Sequence, residues 1–313
     1  MTPRRVHLPS RSPTLRAHVP QARSVQHTWQ HGRRSRFRLL GLVVNLRYPE
    51  NLEVIAEARR RGAKSGCAIM IADANEFVDR RQAYEQLLRE RRMDGLLMGT
   101  LMPTTEAIAE IARERLPLVL VNRRIPGLAP GVAVDDEAAL YVAVSHLVEL
   151  GHTRIAYITG PGESDTVHRR LTGFRHAMAD ADLPLPAGYV ATSSSDPLAG
   201  PERAVSQLLS LDPRPTAVVL WTVGDAAGAL HGVRERGFVP PRDVSLVAIN
   251  DAPFASYLIP ALTVVRMPLA EVTGRAVARL FDVVRGRSIR GDVLIRTPPE
   301  LVQRSSTMPP PRG

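Results

Sequence analysis

The sequence predicts a doubly wound α/β protein of two similar lobes. Short, near-continuous apolar runs at 39–44, 68–71, 95–98, 118–121, 155–158, 217–221 and 245–249 alternate with segments of helical length and period, and the alternation breaks and restarts near 130–152. Runs of four to six apolar residues without polar alternation read as strands buried on both faces, as in parallel sheets, whose successive strands need helical crossovers. A length of 313 residues exceeds one compact core, so two lobes are expected rather than one.

Each element follows in order. The run 39–44 opens the first unit and the helical period at 50–61 returns the chain to the run 68–71; helices at 80–92 and 107–115 flank the runs 95–98 and 118–121. At 138–150, Leu140, Val144, Leu147 and Val148 share one helical face, Asp135 or Asp136 can cap its start, and Gly151 suits its end. The run 155–158 begins the second unit, which continues through 217–221 and 245–249.

Charge is unevenly spread. Residues 1–49 hold ten arginines with no lysine and no acid, so the remaining chain carries 31 basic and 31 acidic groups. The high isoelectric point therefore describes a short arm on a neutral body, and only the arm is a basic, partner-seeking surface. With 44% hydrophobic and 23% charged residues, the chain has the composition of a globular protein, which excludes fibrous and disordered classes for the body. The single cysteine, Cys67, makes no intrachain disulfide and fits a reducing cytoplasm. No Cys/His spacing offers a metal site, no cofactor motif is present, and no run is long enough for a membrane span or a signal peptide.

In open parallel sheets, ligands bind beyond the carboxyl ends of the strands. The residues following the runs are Tyr48, Asp73, Asn122, Arg123, Asp135, the stretch 160–166, Trp221, Thr222, Asn250 and Asp251. Their hydrogen-bonding groups, with two aromatics that could stack on a sugar face, point to a polar small-molecule site. Catalysis is not expected. The loop 160–166 follows a strand and precedes a helix, yet it lacks both the dinucleotide glycine pattern and a phosphate-loop lysine, and no nucleophile motif occurs.

Three blocks carry a resemblance: Leu150-Gly-His-Thr-Arg-Ile-Ala-Tyr-Ile-Thr-Gly-Pro161 with Arg169-Arg-Leu-Thr-Gly-Phe-Arg175; Asp243-Val-Ser-Leu-Val-Ala-Ile-Asn-Asp251 with Tyr257-Leu-Ile-Pro-Ala-Leu-Thr-Val-Val-Arg266; and Pro299-Glu-Leu-Val-Gln-Arg-Ser-Ser-Thr307. In order and spacing they resemble the LacI/GalR family of transcriptional regulators over about residues 38–308. The resemblance implies a two-lobed periplasmic-binding-protein-like (type 1) fold, with crossings between lobes near residue 150, Arg266 and Gly291. The expected organisation is an arm at 1–37, one lobe at 38–150 plus 266–290, and another at 151–265 plus 291–308. It further implies a homodimer whose small polar, sugar-like effector alters affinity for operator DNA. A solute-binding protein of a transport system is the alternative; an upstream export signal would favour it, an upstream helix-turn-helix the regulator.

Residues 1–18, interrupted by Pro3, Pro9 and Pro13, show no helix-turn-helix, whereas 19–24 and 32–36 resemble the family's hinge and linker. The chain thus resembles the sensing and dimerising part of a repressor. Arg23, Arg33, Arg34 and Arg36 are expected to give weak, salt-dependent, sequence-indifferent DNA contacts. By the same resemblance the main effector anchor falls on Arg170, with Ser164, Thr166 and Asp135 as further contacts. Two departures stand out: Thr222-Val223 occupies the place of the usual Asn-Asp, and Asn250 replaces an aspartate, so the usual sugar pattern is altered.

Overall fold

The computed structural model describes residues 38–75, 90, 92–99, 109, 113, 117–162 and 164–311. The expected helices at 80–92 and 107–115 lie outside these apart from isolated positions, as do Glu163 and the arm arginines Arg23, Arg33, Arg34 and Arg36.

Among the described residues the chain builds β1 (Arg38–Val44), α1 (Asn51–Lys64), β2 (Cys67–Asp73), β3 (Gly95–Met98), β4 (Leu118–Val121), β5 (Gly131–Ala133) and α2 (Asp136–Glu149). It continues through β6 (Ile155–Thr159), α3 (Asp165–Asp180), β7 (Val190–Thr192), α4 (Ala199–Leu209), β8 (Ala217–Leu220), α5 (Ala226–Glu235), β9 (Ser245–Ile249) and β10 (Thr263–Arg266). It closes with α6 (Leu269–Val284), β11 (Val293–Leu294) and β12 (Glu300–Val302). Two six-stranded sheets result, ordered β11-β5-β4-β3-β1-β2 and β12-β10-β9-β8-β6-β7. All pairings are parallel except β12 on β10.

All seven apolar runs form strands. In β3, β4, β6, β8 and β9 every residue is buried, which is why these strands read as uninterrupted apolar runs. The strands the runs do not reveal, β5, β7, β10, β11 and β12, are two to four residues long and lie at or next to sheet edges. A short strand with one covered face leaves little hydrophobic signal. Helices α1 and α6 pack together on the first sheet, while the pairs α2 with α3 and α4 with α5 cover the second.

Two of the expected lobe boundaries move. Helix α2 packs on α3 and on the second sheet, so the chain crosses before Asp136 and not near residue 150. After α6, Val293 and Leu294 pair with Val132 and Ala133 of the first sheet, and Ile295 N–H donates to Ala133 O at 2.8 Å. The return therefore falls between Ile295 and Glu300, not at Gly291. In both cases an unpaired edge or an apolar helix face selects its lobe, which a linear reading cannot see. The lobes nonetheless repeat one construction. Asn122 after β4 and Asn250 after β9 both adopt left-handed backbone, with φ of 54° and 68°. Their N–H groups donate to Val132 O and Val265 O on the neighbouring strand.

The block beginning Leu150-Gly-His is structural. His152, 1% exposed, places Nδ1 2.9 Å from Thr216 Oγ1 and Nε2 2.9 Å from Met308 O and 3.1 Å from Ser245 Oγ. His146 Nε2 lies 3.0 Å from Thr307 Oγ1. Together with Ser306, which accepts from Thr263 N–H and donates to Leu246 O, these groups seat residues 305–308 against the base of the second sheet.

Burial holds both imidazoles below the usual histidine range, so the folded protein keeps them neutral while the unfolded chain takes up protons below about pH 6.5. Stability from His152 is therefore fully present above that pH and declines as pH falls toward the folded value. His152→Ala should cost about 2 kcal/mol at pH 7.5 in urea unfolding, since it orphans buried partners. The gap to the parent should narrow at pH 5.5; a constant gap would refute the linkage.

Candidate functional site

The carboxyl ends of the two sheets face one cleft. Glu50, Asn51, Val54, Val121, Asn122 and Leu269 line it from one side, and Thr166, Arg170, Trp221, Thr222 and Asn250 from the other. The lobes stand close together. Thr166 Oγ1 donates to Asn122 O at 3.3 Å, Asn250 Nδ2 to Glu50 Oε1 at 3.4 Å, and Arg124 N–H to Asp165 Oδ2 at 2.8 Å. Gly224 permits the approach, because a Cβ there would stand 3.1 Å from both Tyr48 and Pro49. The remaining cavity is about 20 Å³, room for about one water-sized group.

Behind one wall is a buried ionic cluster. Asp136, fully buried at the first position of α2, accepts from Arg170 Nε at 2.8 Å and from Arg169 Nη2 at 2.6 Å. Arg169 also pairs with Asp165, one turn before it on α3. Arg170 Nη1 donates to Trp221 O at 2.7 Å, and its guanidinium lies 4.3 Å from the centroid of the Trp221 ring. Two adjacent arginines this deeply buried require acids within hydrogen-bond reach, and α2 supplies the one they share.

Of the expected site residues, Arg170, Thr166, Trp221, Thr222 and Asn250 converge on the cleft, with Tyr48 buried at its edge. Five others serve the scaffold. Ser164 caps α3 by accepting from Val167 N–H at 3.3 Å, and Asp135 caps α2 by accepting from Ala138 N–H at 3.0 Å. Asp73 holds a loop of the first lobe through Leu46 N–H and Asn75. Asp251 is taken by both Nη2 bonds of Arg304, at 2.9 and 3.0 Å, and by Arg266 at 2.8 Å. Arg123 Nε lies 3.8 Å from Asp165 Oδ1, bracing the lobe contact.

The expected stacking role of Trp221 also fails. Gly160 presses so close to the indole that a Cβ would fall 2.4 Å from Cε2, and Arg170 covers the ring as well, leaving the polar Nε1 edge to act. Asn250 has a backbone reason for being asparagine, since its left-handed φ is one that asparagine tolerates better than most residues.

Three acids escape the sequence reading: Asp136, Glu50 and Asp225. Glu50 and Asp225 come from opposite lobes, and both are buried. Burial raises the Glu50 carboxyl above its usual range. Burial, reinforced by the nearby Glu50 charge, pushes Asp225 up to about 8, against the opposing pull of the Thr222 backbone and Arg170. Glu50 precedes α1 and Asp225 precedes α5, so in sequence each reads as a helix-start residue. The adjacent pair Arg169-Arg170 inside an amphipathic helix was the one available sign that a buried acid must lie opposite. Among the described residues no group of His, Cys, Asp or Glu side chains is placed to hold a metal ion, and no helix is long and apolar enough to cross a membrane.

A cleft between two doubly wound lobes, closed over buried polar groups, defines a protein of the periplasmic-binding-protein-like class. The profile of the periplasmic binding protein-like domain matches residues 144–307. The chain is 30% identical over 265 residues to the HTH-type transcriptional regulator DegA of Bacillus subtilis, covering 82% of this chain and 77% of DegA. It is 30% identical over 272 residues to the HTH-type transcriptional repressor CytR of Escherichia coli, covering 86% of this chain and 79% of CytR. The crystal structure of a LacI family transcriptional regulator from Mycobacterium smegmatis superposes with a TM-score of 0.79 at 29% identity, covering 87% of this chain and 99% of that one. The chain belongs to the LacI family of transcriptional regulators, and its two lobes are the ligand-binding portion of such a regulator.

The shared acid gives a direct test of the cluster. Asp136→Ala leaves two buried guanidinium groups without their common partner and should destabilise the protein by about 3–5 kcal/mol in chemical denaturation. A loss under about 1 kcal/mol would show that the cluster does not hold α2 against α3.

Proposed function

We propose that the cleft is the effector site of the regulator and that a small polar ligand, sugar-like or a related metabolite, shifts the angle between the lobes. The observation that carries this reading is a set of buried polar atoms without a hydrogen-bond partner: Glu50 Oε2, Asn250 Oδ1 and Trp221 Nε1 of the cleft lining, with Tyr48 Oη and both Asp225 carboxylate oxygens buried behind it. Buried polar groups are normally satisfied, so a cluster of exceptions between two bodies marks a place for a ligand. Arg170 is the main anchor, assisted by Thr166, Thr222 and Asn250. Arg170 Nη2 makes no hydrogen bond among the described residues, while Asp136 fixes the rest of the guanidinium in place. The cavity of about 20 Å³ is too small for a whole sugar, so the effector enters only when the lobes part. Such a ligand biases the lobe equilibrium by the difference in its affinity for the two arrangements.

In this reading the chain works without catalysis, as a homodimer whose two-fold axis matches palindromic operator DNA. An apolar surface supports the dimer: Tyr257 and Ile259 are 84% and 80% exposed, beside a shallow depression formed by Arg234, Val239, Pro240 and Pro260. The DNA-binding element of a full regulator would take its bearings from this axis.

Calorimetric titration with sugars, sugar phosphates and nucleosides should identify a binder. Asn250→Ala should weaken it about 10-fold, equivalent to about 1.4 kcal/mol, while the circular dichroism spectrum stays that of the parent. Sedimentation at micromolar concentration should give a dimer that Tyr257→Glu dissociates. An unchanged affinity in Asn250→Ala would remove the cleft from consideration, and a monomeric parent would remove the dimer.

A further inference from the structure

We propose that the effector carries a protonated amine, held by the carboxyl groups of Glu50 and Asp225 from opposite lobes. This deepens, and rests on, the reading of the cleft as the effector site.

The unpartnered atoms are unequal in kind. Four are acceptors, Glu50 Oε2, Asn250 Oδ1 and the two oxygens of Asp225, whereas Tyr48 Oη and Trp221 Nε1 can donate. A ligand group rich in N–H donors satisfies more of them than a carbonyl, phosphate or ether oxygen does. An ammonium brings three donors and no acceptor.

Charge points the same way. Around the cleft the acids Asp136, Asp165, Glu50 and Asp225 face the arginines Arg123, Arg169 and Arg170, with Asp136 and Asp165 already engaged by those arginines. One carboxylate is in excess, and a single positive charge completes the balance. Burial without such a charge favours the protonated acid, as the raised Glu50 and Asp225 carboxyls show. The other groups facing this end are Thr222, Tyr48 and the buried Tyr157, with Arg47 and Asp196 beyond them; Arg47 and Asp196 offset one another. Gly224 packs against Tyr48 and Pro49, which brings Asp225 near enough to Glu50 for their charges to interact. The cavity of about 20 Å³, lined by Glu50 and Asn250 with Asp225 behind Thr222, has the size of one ammonium, which is close to that of a water molecule.

No covalent bond changes in this scheme. The ligand arrives as its ammonium, one carboxyl group passes its proton to solvent, and the resulting carboxylate pairs with the ammonium. Affinity therefore rises with pH through the range in which the free cleft holds that proton, and binding near neutral pH releases about one proton.

The test uses the full chain and matched compounds: D-glucosamine against D-glucose, D-galactosamine against D-galactose, and putrescine against 1,4-butanediol, with neutral sugars and nucleosides as a wider panel. Titration calorimetry at pH 7 in two buffers of different ionisation enthalpy reads both affinity and proton release. The expected result is binding by an amine but not by its neutral twin, with release of about one proton. Asp225→Asn and Glu50→Gln should each weaken it at least 10-fold and suppress the release while melting no lower than the parent. A neutral compound that binds as tightly as its amine twin, or binding without proton release, overturns the amine and leaves the cleft standing as the effector site. Silence across every compound overturns the effector-site reading itself. If Asp225→Asn does not fold, Glu50→Gln alone decides, since full retention of affinity there excludes the cross-lobe grip.

Discussion

The arrangement of the second lobe depends on one carboxylate. Asp136 accepts from Arg169 and Arg170 in the buried interior, and the arrangement of Arg170 and Trp221 at the cleft follows from the positions this fixes. Arg170 is held so that its guanidinium lies over the Trp221 ring and donates to Trp221 O. Trp221 in turn requires Gly160 beneath it, and the strand end it occupies delivers Thr222 to the cleft. A buried ion pair of this kind contributes little net stability against a well-packed apolar alternative, but it is costly to break by halves. Its value here is positional: it holds a cation at the cleft wall without leaving that cation free to move.

A second tension arises because the cleft is closed over acids. Desolvation works against Glu50 and Asp225 as charged groups, while the contacts that draw the lobes together, Thr166 to Asn122 and Arg124 to Asp165, bring them to each other. The closed arrangement therefore holds uncompensated polar groups at its centre and satisfied ones at its margin. This is what a two-state element needs. The margin makes closure geometrically defined, and the centre leaves the closed state short of its full stability until something fills it.

Scaffold and site are built from neighbouring residues with opposite assignments. Ser164 and Asp165 bind backbone and arginine while Thr166 faces the cleft. Asp251 is locked between Arg266 and Arg304 while Asn250 lines the cavity. Asp135 caps a helix while Asp136 anchors the arginines. In each case a step or two along the backbone at a helix start or strand end separates a residue turned toward the cleft or its arginines from a support.

The amino-acid pattern by itself determined the two-lobed α/β architecture, because strands buried on both faces must be apolar throughout and leave a signal that needs no partner to read. It also determined that polar groups gather at the strand ends, with Thr166, Thr222 and Asn250 among them, while the family resemblance added Arg170. Only the tertiary structure decided the lobe to which α2 and β11 belong, since an amphipathic face is complementary to many surfaces and selects one only when the sheets exist. It alone separated Ser164, Asp135, Asp73 and Asp251 from the cleft, and it alone brought Glu50 to Asp225 across 175 positions of sequence. A carboxylate at a helix start looks the same in sequence whether it caps that helix or faces another acid, and the difference lies in what the opposite lobe places beside it.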